Sequence, residues 1–97
     1  MYAVVAVWNT DPARRGEQDR GPHELIIPSV RNHRGFAAGY WMRDPRIGKG
    51  HTTIVLDNER SAQAFNQLVL GNTQNQAKAA ITTDSLALAE MLAQAHR

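Results

Sequence analysis

The sequence contains no cysteine, and this absence excludes several chemistries at once. Without thiols there is no disulfide framework, no thiolate metal site and no cysteine nucleophile. The chain also lacks a run of about 18 apolar residues, the length that a membrane-spanning helix needs. Its first residues, MYAVVAVWNTD, carry neither the basic segment nor the cleavage site of a secretory signal. We therefore expect a cytoplasmic protein that does not enter a membrane.

The sequence also lacks a large excess of charge of one sign. The formal net charge is +2, and basic residues are interleaved with acidic ones. The clustered arginines are Arg14, Arg15, Arg20, Arg31 and Arg34, and the acids among them are Asp11, Glu17, Asp19 and Glu24. A nucleic-acid-binding surface needs a stripe of one sign to displace counterions. The pattern therefore predicts a solvated helix face and no nucleic-acid partner.

What is present favours one globular domain spanning residues 1–97, with 42% hydrophobic residues. The segment Tyr2–Trp8 is rich in β-branched residues and predicts a strand. Alternation places Tyr2, Val4, Ala6 and Trp8 on one side and Ala3, Val5 and Val7 on the other. A second predicted strand, Gly35–Arg43, has Phe36, Ala38, Tyr40 and Met42 on one side and Ala37, Gly39, Trp41 and Arg43 on the other. Because both sides of these strands are apolar, both faces of their sheet need to be buried.

A helix is predicted between these two strands. Asp11 followed by Pro12 is a helix-start signal. Glycines interrupt the first half, so the better half is His23–Asn32, in which Pro28 removes one backbone donor and should bend the helix. We expect a kinked or two-part helix that ends before Gly35, because a residue without Cβ suits the C-terminal cap.

The second half of the chain begins with a hairpin. Residues 44–50 are dense in turn formers and predict its loop, and His51–Leu56 predicts a third strand antiparallel to the second. Asp57 or Asn58 then caps a helix over about Glu59–Leu70. The apolar stripe of this helix comprises Ala62, Phe65, Leu68 and Val69.

The tail, Ser85–Ala93, gives two conflicting signals. Its residues are strong helix formers, so propensity favours a helix. Leu86, Leu88 and Leu92 fall on alternate positions, as expected of a strand with one buried face. The residues alone leave both structures open.

The order of elements is the βαββαβ pattern of the ferredoxin-like fold. Within it, the segments 28–31, 34–36, 39–43, 53–57 and 61–65 resemble the antibiotic-biosynthesis-monooxygenase-like group of dimeric α/β barrels. In that group a helix ends in a Gly-Phe pair, a strand follows, and a hairpin leads to a helix that begins after an acidic residue. The similarity covers roughly residues 1–70 and consists of packing motifs.

This resemblance implies an α+β fold with a four-stranded antiparallel sheet, two helices on one face, and a strand at Ser85–Ala93. It also implies a homodimer in which the second sheet face packs against the partner's sheet to form a barrel. The residues favour the dimer independently. At about 25 cal/mol per Å² of apolar surface, an uncovered face would cost more than a small domain's usual margin of stability.

The haem-degrading branch of that group uses an Asn within the first strand, together with a Trp and a His from the second half of the chain. In this sequence the middle of the strand is Val4-Val5-Ala6, and Asn9 comes only at its end. The segment Glu59–Leu70 holds neither Trp nor His. We therefore expect no haem degradation and no cofactor.

The histidines have no spacing typical of a metal site. We expect His23 and His33 at the surface and His96 at the fraying C-terminal end. His51, beside the hairpin loop, is the histidine that is a candidate for a functional role.

Candidate ligand-binding residues are Trp8, Asn9, Tyr40, Trp41, Arg43 and His51. Their aromatic rings could line a pocket for a flat organic molecule, or they could form core or dimer interface. Arg43 could receive an anionic group, or pair with Asp44 or Asp57. No catalytic residue is identified.

Two functions follow from these candidates. The favoured one is a dimeric module that is non-catalytic or binds a small organic ligand. The alternative is a cofactor-independent monooxygenase acting on an aromatic or polyketide-like substrate.

Overall fold

The chain alternates strands and helices in the order βαββαβ. A computed structural model describes residues 1–9, 13, 27–71 and 82–97, without the side chains of residues 82 and 83. Within these ranges lie β1 (Tyr2–Asn9), α1 (Ile27–Arg31), β2 (Phe36–Asp44), β3 (Lys49–Leu56), α2 (Glu59–Gly71) and β4 (Thr82–Glu90). The predicted fold class is confirmed. The beginning of the predicted first helix, including Pro12 and His23, lies outside the described residues.

The four strands form one antiparallel sheet in the order β2-β3-β1-β4. The tail is therefore a strand, as the resemblance implies, and it pairs with β1 along its length. Leu86 lies opposite Ala6 and Leu88 opposite Val4. The prediction that Leu92 shares their face is wrong, because β4 ends at Glu90 and Leu92 is 93% exposed.

Both helices cover the same face of the sheet, which we call the helix face. Its centre is formed by Val4, Ile54 and Leu56, against which Val30, Ala62 and Phe65 are packed. Val69 continues the contact of α2 at helical spacing, whereas Leu68 is 58% exposed. The predicted stripe is thus right for three residues and wrong for Leu68, which falls outside the arc that meets the sheet.

Asn58 is the residue that caps α2. Its side-chain oxygen accepts a hydrogen bond from the backbone N–H of Ser61 at 2.9 Å, and its carbonyl accepts one from Ala62 at 3.1 Å. The first bond satisfies a donor that the first turn of a helix leaves unpaired, and the second is the first hydrogen bond of the helix itself. Of the two predicted caps, the described contacts therefore select Asn58 rather than Asp57.

Gly35 has a different role from the predicted one. Helix α1 ends at Arg31, so Gly35 does not cap it but leads the chain into β2. Its φ of 81° is in the left-handed region that favours glycine. A Cβ at this position would lie 2.5 Å from Oγ of Ser61, so Gly35 permits α2 to approach the start of β2.

A β-bulge near the start of β2 changes which side chains share a face. Phe36 is opposite Leu56 and Ala38 is opposite Val55, the next residue of β3. Ala37 is therefore an extra residue in β2 without a partner in the register. Phe36 therefore points to the helix face with Gly39 and Trp41. Its predicted place beside Tyr40 is wrong, because one inserted residue reverses the alternation.

The described ranges contain two helices, α1 with 5 residues and α2 with 13. Neither is long and apolar enough to cross a membrane.

Candidate functional site

The strand register divides the six candidate residues between the two faces of the sheet. Directly opposed residues share a face, so Trp8 and Arg43 lie with Gly50, and Trp41 with Thr52, on the helix face. On the other side, which we call the open face, Asn9 lies with Lys49, Tyr40 with Thr53, and His51 with Met42. The candidates therefore do not line one pocket within the sheet of a single chain.

Both tryptophans on the helix face contact neighbouring structure. Nε1 of Trp8 donates a hydrogen bond to Oγ1 of Thr52 at 3.1 Å. The ring of Trp41 lies over Gly39, where an added Cβ would be 2.8 Å from its Cη2 atom, and it packs against the core. The two indole rings thus occupy part of the space on this face that a ligand would need.

Gly50 separates Arg43 from Trp8 on the helix face. Both residues are opposite Gly50 in the register, one from β2 and the other from β1. Because Gly50 carries no side chain, the sheet between Arg43 and Trp8 is bare backbone at this point. Glycine within a strand often marks a close approach of another group.

The open face carries a shallow depression at the hairpin end. Its volume is about 510 Å³, and it is lined by Val5, Met42, Arg43, Asp44, Pro45, His51 and Thr53. Val5 is 37% exposed and Met42 52% exposed, so its floor presents apolar side chains to solvent. Beside it, Tyr40 is 54% exposed. Sequence patterning missed Val5, Met42 and Thr53 as lining residues, since only the register shows which side chains adjoin His51.

The polar side chains around this depression differ in their hydrogen bonds and ion pairs. Asp44 accepts a hydrogen bond from the backbone N–H of Arg46 at 2.9 Å, which ties it to the turn. Lys49 forms an ion pair with Asp84 at 2.5 Å, beyond the depression. His51 is half-buried, and its ring makes no hydrogen bond or ion pair with any residue in the described ranges. It is thus a polar group beside an apolar floor, and no residue of the described ranges uses its hydrogen-bonding capacity.

The other described histidines have local partners. His33 Nδ1 lies 3.0 Å from the carbonyl oxygen of Arg34, and its ring meets Phe65 edge-on at 5.3 Å. His33 is half-buried, with the phenyl ring of Phe65 against it, and its contact with Arg34 is exposed, in line with the predicted surface position. His96 pairs with Gln94 on the exposed tail.

Tyr2 has a shifted pKa. The carboxylate of Glu59, and then that of Glu90, raise the pKa of Tyr2 above its ordinary value of 10.0, because both disfavour the phenolate. Tyr2 is at the opposite end of β1 from Trp8 and Asn9. The described part of the chain holds no group of three side chains able to bind a metal ion.

Solved structures that share this architecture include the following two. One is a protein of Deinococcus radiodurans provisionally described as an antibiotic biosynthesis monooxygenase, with a TM-score of 0.73 and 14% identity over 100% of this chain and 97% of that one. The other is the haem degrader MhuD of Mycobacterium tuberculosis, solved with two haems in its active site. It has a TM-score of 0.70 and 16% identity over 98% of each chain.

The chain has the fold of these two proteins. No protein-family model and no curated protein sequence matches it. At 14% and 16% sequence identity, this similarity shows a shared fold and does not show a shared activity.

Proposed function

We propose that residues 1–97 form one domain of a homodimeric α/β-barrel module that binds a small organic molecule and does not itself catalyse a reaction. The observation that carries the proposal is the open face. It leaves Val5, Tyr40 and Met42 37%, 54% and 52% exposed, respectively, in neighbouring rows of the sheet. Removing apolar surface of this kind from water contributes about 25 cal/mol of stabilising free energy per Å² buried.

A second copy of the chain is the occupant that this face fits. In a two-fold dimer the same surface meets itself, so it has to be self-complementary. The middle of the open face satisfies this condition, because its residues are uncharged: Val5, Val7, Tyr40, Met42, His51, Thr53 and Ala87. The charged Asp44 and Lys49 lie at its hairpin end. Two such sheets can pack face to face at about 10 Å.

Binding is supported over catalysis by the distribution of the candidate residues. The alternative oxygenase would bring Trp8, Asn9, Tyr40, Trp41 and His51 into one pocket, yet the register puts them on opposite sides of the sheet. Tyr2, whose pKa is raised by neighbouring carboxylates, is at the opposite end of β1 from Trp8 and Asn9.

The dimer is tested by placing a charge on each face of β1. Val5→Asp puts two carboxylates into the proposed interface, so sedimentation velocity at micromolar concentration should show a folded monomer where the unaltered protein is a dimer. Val5→Thr, similar in shape and uncharged, should remain dimeric. Val4→Asp should unfold the chain, because Val4 is 2% exposed in the core. A well-folded wild-type monomer under these conditions would refute the proposal.

A further inference from the structure

The depression on the open face combines an apolar floor with hydrogen-bonding side chains. The side chains of Val5, Met42 and Pro45 supply the floor. Its volume, about 510 Å³, is within the roughly 300–1,000 Å³ typical of small-molecule sites. Its shape is shallow, so one chain alone would leave most of a ligand in water.

His51 and Thr53 supply the polar groups. They are two residues apart on β3 and share the open face, roughly 7 Å apart along the strand. Neither side chain has a hydrogen-bond partner within the described ranges. A neutral imidazole offers one donor and one acceptor, and a hydroxyl group can likewise donate one hydrogen bond and accept others. A ligand hydroxyl would therefore satisfy His51 without introducing charge.

Charge around the depression narrows the class of ligand. The carboxylate of Asp44 lines the same face and would repel an anionic group. Arg43 contributes to the rim, but its side chain belongs to the helix face in the register. One oxygen of Asp44 is engaged by the backbone of Arg46, which lessens its attraction for a cation. These features favour an uncharged ligand.

We infer that this depression is a binding site for a small, uncharged, largely apolar molecule that carries a hydroxyl group, and that the partner copy completes its wall. The inference rests on the proposed dimer, in which the second sheet would cover the depression. A ligand held between two chains binds the dimer better than the monomer, so it must strengthen the dimer by the same free energy.

Naphthol is a suitable probe, with methoxynaphthalene as its matched analogue lacking the hydroxyl proton. Calorimetric titration of the full chain should show tighter binding of naphthol. His51→Phe should weaken naphthol binding about tenfold, the typical effect of one hydrogen bond, and should weaken the binding of methoxynaphthalene less. His51→Gln should restore most of the loss. His96→Phe, the same change on the exposed tail, should have no effect.

Sedimentation near the dimer dissociation constant completes the test. At the same concentration, naphthol should raise the dimer fraction of the wild-type protein more than that of His51→Phe. A wild-type dimer that does not bind naphthol, or binds it without a change in the dimer fraction, would overturn this inference and leave the dimer standing. Tighter binding of naphthylmethylamine than of naphthol would overturn the ligand class. A wild-type monomer would instead refute the proposed function.

Discussion

At the scale of single residues, Gly35 is the position where the backbone limits what can be substituted. Its φ is 81°, and a Cβ would be 2.5 Å from Oγ and 2.7 Å from Cβ of Ser61. We expect Gly35→Ala to lower the free energy of unfolding by more than about 1–2 kcal/mol, because the left-handed conformation alone costs that much. Urea unfolding followed by circular dichroism measures the difference.

Gly71→Ala is the matched control for Gly35→Ala. A Cβ at Gly71, the last residue of α2, would meet nothing within 4 Å. The change should be neutral or stabilise the helix by up to about 1 kcal/mol. Equal effects of the two alanines would show that the contact with Ser61 is unimportant.

At the scale of elements, β4 shows packing outweighing local preference. Its residues favour a helix by only a few tenths of a kcal/mol each. Pairing with β1 places Leu86 against the core, which contributes more than the propensity of any one residue. A register shift opposite Val7 and Trp8 leaves Asp84 as the extra residue, and Asp84 then reaches Lys49.

Two leucines in the tail test this account. Leu86→Ala should cost about 1–2 kcal/mol, below the range for fully buried leucines, because Leu86 is half-buried against the core. Leu92→Ala should stay within about 0.5 kcal/mol, since Leu92 is 93% exposed. Thermal or urea unfolding distinguishes them. A comparable loss for Leu92→Ala would contradict the end of β4 at Glu90.

At the scale of the whole molecule, a shared fold does not imply a shared ligand. MhuD was solved with haem in its active site, yet this chain has Val4-Val5-Ala6 in the middle of β1, and α2 has neither histidine nor tryptophan. We expect haem titration to give no saturable shift of the Soret band. MhuD under the same conditions provides the positive control. A shift with sub-micromolar affinity would show that other residues hold haem.

The candidate site was only partly predictable for a geometric reason. The sequence identifies Tyr40, Trp41 and His51 as residues worth attention, and alternation correctly separates Tyr40 from Trp41. It does not show that His51 is opposite Met42, or that Thr53 lies between Tyr40 and Val5. Those neighbours depend on pairing between strands, and the bulge after Phe36 has no clear signal in the residues.

The sequence by itself determined what depends on neighbours a few residues away. The order of strands and helices, the turn at the hairpin and a cap near Asn58 all follow from local patterns, and the lack of cysteine excludes thiol chemistry outright. The tertiary structure alone decided the register, the face that Phe36 occupies, the bounds of the last strand at Thr82–Glu90 and the residues around His51. Each of these depends on contacts between distant segments, whose packing energies exceed the small local preferences that a sequence displays.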